Sequence, residues 1–197
     1  MRRLFFSLLF GLALGATLSA QKAEQKQGVQ LPPTTPIFTA AELAAKVPAA
    51  KPDDVKSLDA ILIAIYDAIS GPAGGRDWNR FRSLFLPQAR FTQVATAPDG
   101  TTMLIAWNVD EFVRDAGEVF AKEPFYEKAI VNRPESFGNV TQVLSSYESR
   151  HSPTDKPFDR GINSIQALND GKRWWVLSIL WDTERPGNPL PAEFTKK

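Results

Sequence analysis

Val55, Leu58, Leu62, Ile65, Tyr66 and Ile69 recur at helical spacing, and Gly71-Pro72 ends the run. This pattern predicts an amphipathic helix over residues 55–69. Asp77 offers a cap for a second helix, in which Trp78, Phe81, Leu84 and Phe85 share a face before Pro87 stops it. Residues 90–96 and 101–107 then read as strands around Pro98-Asp99-Gly100, a hairpin turn signal. Asn108 with Glu111 forms a capping pattern, and Val109, Phe112, Val113, Ala116 and Phe120 mark a third amphipathic helix. Beyond Pro124 the pattern predicts strands at 125–132, 139–151, 160–169 and 173–183, the last two joined tightly by Asn169-Asp170-Gly171. Helices first, one hairpin, another helix and an antiparallel run make an α+β fold, with helices laid against a curved sheet and a cavity at one end.

The last strand adds an expectation about assembly. Trp175, Leu177, Ile179 and Trp181 fall on one face, and Trp174, Val176 and Leu180 on the other with Ser178. A strand apolar on both faces is covered on both sides. Helices cover one face, and a second copy of the chain is the simplest cover for the other. A homodimer is therefore expected.

The amino-terminal residues follow different rules. Arg2 and Arg3 precede an uncharged apolar run from Leu4 to Leu18, and Ser19-Ala20 offers a cleavage site before Gln21. This reads as a secretory signal peptide over 1–20, too short for a membrane span, and implies a periplasmic or secreted protein. Leu18 at the −3 position lets the cut shift by a residue. Paired arginines also occur in twin-arginine leaders, whereas the short Leu/Phe-rich core here reads as an ordinary Sec-type one. Residues 21–52 form a proline-containing linker with a capping box at Thr39 and Glu42 and a short helix over 40–47. The domain proper spans 53–185, and 186–197 is a tail.

There is no cysteine, so an exported chain of this kind is stabilised by burial instead of disulfides. Without Arg2 and Arg3 the chain carries 21 basic and 22 acidic residues, a net charge of −1. A near-neutral chain with interspersed signs gives no electrostatic case for nucleic acid, or for a membrane once the leader is removed.

Tyr66, Asp77-Trp78 opening a helix, Leu84-Phe85 and Ala89-Arg90-Phe91 resemble the start of nuclear transport factor 2-like domains, a superfamily that includes SnoaL-like proteins and ketosteroid isomerases. Tyr147-Glu-Ser-Arg-His151, Arg160-Gly-Ile-Asn-Ser-Ile-Gln166 and Asp170-Gly-Lys-Arg-Trp-Trp175 resemble exported bacterial members. The likeness covers residues 53–183. It implies a cone-shaped curved antiparallel sheet with three helices packed on its concave face, and a pocket between them. A ketosteroid isomerase of this family needs a carboxylate base, a tyrosine and a protonated acid. Tyr66 falls at the tyrosine position, but the base position holds Gln93 and the second acid falls near Ser164. Two of three roles are unfilled, which argues against that reaction.

The resemblance and the residues together give a set of pocket candidates: Tyr66, Gln93, Trp107, Tyr147, Glu148, Arg150, Ser164 and Gln166. Tyr66 either donates to a ligand oxygen or only packs. Glu148 and Arg150 alternate with Tyr147 and Ser149, and the sequence does not say which pair faces in. Gln93, Ser164 and Gln166 suit hydrogen bonding to a neutral ligand. His151 is the only histidine and reads as a surface turn residue; Ser149, His151 and Asp155 form a triad only on paper. No catalytic set, metal site or cofactor is expected. The function implied is binding of a small apolar molecule. The rivals are a SnoaL-like isomerase, dehydratase or cyclase using Tyr66 and Glu148, and an interaction module whose side chains fill the cavity.

Overall fold

Asn108 and Glu111 cap each other reciprocally in the computed structural model, as their spacing predicts, and helix α5 runs from Val109–Phe120 behind them. The structure describes residues 32, 34 and 36–196. The signal-peptide reading and most of the proposed tether lie outside the described residues. From Phe38 onward the chain forms one unit. Its other helices are α1 (Ala40–Ala44), α2 (Pro52–Val55), α3 (Leu58–Ile69) and α4 (Trp78–Ser83). Thr39 and Glu42 close a second capping box on α1, which lies against the first strand.

Six strands follow: β1 (Phe85–Thr96), β2 (Thr102–Asn108), β3 (Tyr126–Phe137), β4 (Val140–Arg150), β5 (Asp159–Asn169) and β6 (Trp174–Thr183). Their order across the curved sheet is β2-β1-β6-β5-β4-β3. All neighbours pair antiparallel except β1 and β6, which run parallel. The predicted second helix stops two residues early. Phe85 belongs to the sheet, opposite Val176, and Pro87 sits where the β1–β6 register slips, a place where a missing N–H costs no ladder bond. Further bulges interrupt β3 between Ala129 and Val131 and the β5–β6 ladder between Gln166 and Ala167. Each adds local twist and reverses which side chains face inward.

α3, α4 and α5 supply the predicted stripes to one core. Ile61, Leu62, Phe81, Leu84 and Phe85 are buried against Phe91, Val143, Ile165, Val176 and Ile179 from the sheet. Phe81, Phe91 and Phe112 stack, with ring centroids 5.9 and 4.6 Å apart in sequence along the series. Arg80 pins the helical layer: its guanidinium grips Asp54 of α2 through two bonds of 2.7 and 2.9 Å and also reaches Asp67 of α3. Arg76 donates to the carbonyls of Ile69, Gly71, Pro72 and Gly74, which closes the α3–α4 connection.

Candidate active site

The inner face of the sheet changes character along its length, and cross-strand register shows how. One row runs Phe91–Ile179–Ile165–Val143 through β1, β6, β5 and β4, and all four residues are buried. The next inward row reads Gln93–Trp181–Asn163–Ser145–Asn132. Beyond it come Gly161–Tyr147–Ala129 and then Asp159–Ser149–Glu127. Polar groups thus collect at one end of the concave face, where α3 and α5 leave a hollow.

That hollow is a cavity of about 220 Å³. Phe81, Phe91, Phe112, Phe120, Phe125 and Trp181 form most of its wall, with Ile65, Ile69, Ala116 and Ile179. Gln93, Glu127, Tyr147, Ser149, Asp159 and Asn163 form the remainder. Trp107 stacks on Trp181 at 5.9 Å and is held by its indole N–H on Asp115. Trp181 belongs to the wall and Trp107 backs it, and neither fills the hollow.

Glu127, Ser149 and Asp159 sit directly opposite one another on three adjacent strands, so the two acidic residues are roughly 10 Å apart at their Cα atoms. The Ser149 hydroxyl donates to Glu127 Oε2 at 2.7 Å, and the Tyr147 hydroxyl donates to Asp159 Oδ2 at 3.3 Å. Burial pushes the Glu127 carboxyl up to about 7, and the neighbouring Asp159 charge pushes in the same direction against the Ser149 bond. Burial also raises Asp159 above the usual carboxylate range, opposed by the bond from Tyr147. The Tyr147 phenol is raised as well, first by burial and then by the carboxylate of Asp159. A carboxyl near neutrality beside a second carboxyl is chemically able to accept and return a proton at physiological pH.

Tyr66 is absent from this lining; with Glu127, Asn132, Lys128 and Arg150 it borders a second, larger cavity of about 760 Å³. Ser145 spends its single hydroxyl hydrogen on Asn132 Oδ1 at 2.6 Å, so the 2.6 Å contact between the Ser145 and Tyr66 hydroxyls is a donation by Tyr66. Asn163 Nδ2 donates back to the Tyr66 oxygen at 3.1 Å. The Tyr66 hydrogen is therefore committed to the protein. Burial raises this phenol too.

Of the sequence candidates, the structure brings Gln93 and Tyr147 to the aromatic cavity, sets Trp107 behind its Trp181, and places Tyr66 in the second cavity. Glu148, Ser164 and Gln166 lie on the opposite face, and Arg150 reaches the second cavity beside Tyr66 and Glu127. Glu148 pairs with Arg150 at 2.7 Å and with Lys128 at 3.3 Å. Ser164 accepts from Gln142 Nε2 at 2.7 Å, and Gln166 accepts from the Ser178 hydroxyl at 3.0 Å. His151 is exposed and stacks on Phe158 at 4.3 Å, while Ser149 points to Glu127, so no triad forms. Sequence reasoning missed Glu127 and Asp159. Gly161, a glycine in mid-strand two residues after Asp159, was the available signal of a close approach at that end of the sheet.

The chain has structural relatives of known coordinates. One is a proposed dehydratase of the NTF2-like family from Streptomyces avermitilis, 14% identical, covering 68% of this chain and 99% of that one at a TM-score of 0.49. Another is an NTF2-like protein of unknown function from Silicibacter pomeroyi, 14% identical over 66% and 94% of the two chains, TM-score 0.45. A third is a proposed ketosteroid isomerase from Parabacteroides distasonis, 12% identical over 65% and 88%, TM-score 0.45. Its structural neighbours are nuclear transport factor 2-like proteins. No family model and no curated protein matches the chain. Nuclear transport factor 2-like domains carry unrelated activities, so activity has to be argued from the site.

Proposed function

We propose that this protein binds a small, largely apolar molecule in the aromatic cavity, with the ligand's polar group against Glu127, Tyr147, Ser149 and Asp159. The observation that carries this reading is the mixed lining: six aromatic rings with four aliphatic side chains, and Glu127, Tyr147, Ser149 and Asp159 clustered in two adjacent rows. A dry apolar cavity of roughly 150 Å³ accepts benzene, so a hollow of about 220 Å³ suits a single substituted ring. Native mass spectrometry of protein purified from its own source is expected to show a retained small molecule. Ala116→Phe, which places a ring in the hollow, is expected to remove it. Retention unchanged in that variant would place the ligand elsewhere and end the proposal.

The isomerase, dehydratase or cyclase reading is supported by a different observation, the proximity of the Glu127 carboxyl to neutrality. Glu127 replaces Glu148 as its base, because Glu148 is occupied by Arg150 and Lys128 on the other face. Export remains part of the proposal and rests on the charge and hydropathy pattern of residues 1–20. Among the described residues no helix is long and apolar enough to cross a membrane.

Homodimerisation is proposed through the outer face of the sheet, and its pattern supports a two-fold. The row Asn108–Arg90–Ser178–Gln166–Gln142–Glu135 places opposite charges two strands to either side of Gln166. The adjacent row Thr92–Leu180–Ser164–Leu144–Arg133 places the exposed Leu180 and Leu144 on either side of Ser164. A two-fold axis through Gln166 and Ser164 sets Arg90 against Glu135 and Leu180 against Leu144 of the copy. Sedimentation is expected to show a dimer that Arg90→Glu dissociates and that adding Glu135→Arg restores. A monomer at micromolar concentration for the parent chain would sink it.

A further inference from the structure

Glu127 and Asp159 share a cavity wall that contains no lysine, arginine or histidine. Their partners within it are the hydroxyls of Ser149 and Tyr147, which carry no charge. Lys128 and Arg150 border the second cavity with Glu127 but pair with Glu148, and Arg160 pairs with Glu184 at 2.6 Å. Among the described residues Asp54 is the one buried carboxylate, and it has a counter-charge in Arg80. Charges taken from water are ordinarily paired. Here two half-buried carboxyls face a cavity whose lining supplies them no counter-charge, and six aromatic rings line the space before them.

Two kinds of cation complete such a pair, and the lining distinguishes them. Among the described residues no group of three or more His, Cys, Asp or Glu side chains is placed to hold a metal ion. Six aromatic rings are poor metal ligands, but their negative faces attract a desolvated ammonium group and their area buries its hydrocarbon body. We propose that the cavity selects small organic cations, binding a single-ring ammonium compound with its nitrogen between Glu127 and Asp159 and its ring among Phe91, Phe112 and Phe120. The inference rests on the small-molecule reading and narrows it to one ligand class. The raised carboxyl of Glu127 agrees with it, since a bound cation supplies the charge that burial removes.

Calorimetric titration of the full chain at pH 8 tests the idea with four probes: benzylammonium chloride, benzyl alcohol, sodium benzoate and calcium chloride. Benzylammonium is expected to bind at least tenfold more tightly than benzyl alcohol, with no heat from benzoate or calcium. Glu127→Gln and Asp159→Asn are each expected to weaken benzylammonium tenfold or more while leaving benzyl alcohol within about twofold, which separates lost charge recognition from lost folding. Benzyl alcohol binding as tightly as the ammonium, or calcium competing with it, overturns the cation assignment and leaves the small-molecule reading standing. Silence from all three aromatic probes overturns both.

Discussion

Glu127→Gln is expected to be more stable than the parent chain at pH 8–9 and indistinguishable from it near pH 4. Burial raises the Glu127 carboxyl from 4.5 to about 7, so between those values the folded state holds a proton that the unfolded state has released. The neutral form is the one the fold favours. Its stability is fully present below the ordinary carboxylate range and is lost as pH rises through 7, after which the penalty is constant. A shift of that size corresponds to at most about 3 kcal/mol. Glutamine keeps an acceptor for the Ser149 hydroxyl and cannot ionise, so the variant should lose this slope. Asp159 is shifted the same way and faces Glu127 across Ser149; Tyr147 and Tyr66 are also near, and Asp59, Asp67, Tyr126, Lys128 and Arg150 border the second cavity with it. A residual slope of the same sign from Asp159 is expected in the variant. Urea midpoints measured from pH 4 to 9 decide it, and parallel curves for parent and variant would show that Glu127 is not held in a low-polarity site. A gain in stability from replacing an ionisable group by a neutral one is itself typical of a functional position.

The helical half of the fold was legible because capping and periodicity are local. Thr39/Glu42 and Asn108/Glu111 act within a few residues and appear at their predicted places, whereas the stripe from Val55 to Ile69 is split: Val55 ends α2, and Ser57 caps α3 at Leu58. The break at Phe85 was not legible, because Trp78, Phe81 and Phe85 satisfy a helical period while a strand partner 91 residues later, Val176, decides the matter. The site failed for the same reason on a larger scale. Alternation in β4 groups Tyr147 with Ser149 and Glu148 with Arg150, but the usual tie-breaker, an apolar inner face against a polar outer one, is absent. Leu144 and Val140 are exposed on the outer face while Ser145 and Ser149 are buried on the inner one. Bulges add to this, since the one after Ala129 moves Asn132 to the side of Glu127 despite an odd spacing. Glu127, Ser149 and Asp159 become a row only when three strands are in register, and the chain separates them by 22 and 10 residues.

Gly161→Ala is expected to destabilise the domain by about 3 kcal/mol and to abolish binding in the cavity even where the variant remains folded. A methyl group at this position would run into the backbone carbonyl oxygen of Asp182 and come within 2.7 Å of the Tyr147 hydroxyl and 2.9 Å of its ring. Neither neighbour gives way easily. Asp182 belongs to β6, paired with β5 at Ile162, and Tyr147 is a buried side chain on β4 directly opposite Gly161. The absent side chain is what lets the tyrosine ring lie over β5 and bring its hydroxyl to Asp159. Displacing the ring breaks that bond, opens a path for water beside the carboxyl row, and removes one wall of the hollow. The loss should therefore appear twice, in the unfolding midpoint and in ligand affinity measured well below that midpoint. Tyr147→Phe provides the control: it keeps the ring and lacks the hydroxyl, so it should retain most of the stability while the titration of Asp159 moves. If Gly161→Ala matched the parent chain in both stability and binding, Tyr147 would not be held by this close approach, and the polar end of the cavity would not have the shape argued for it.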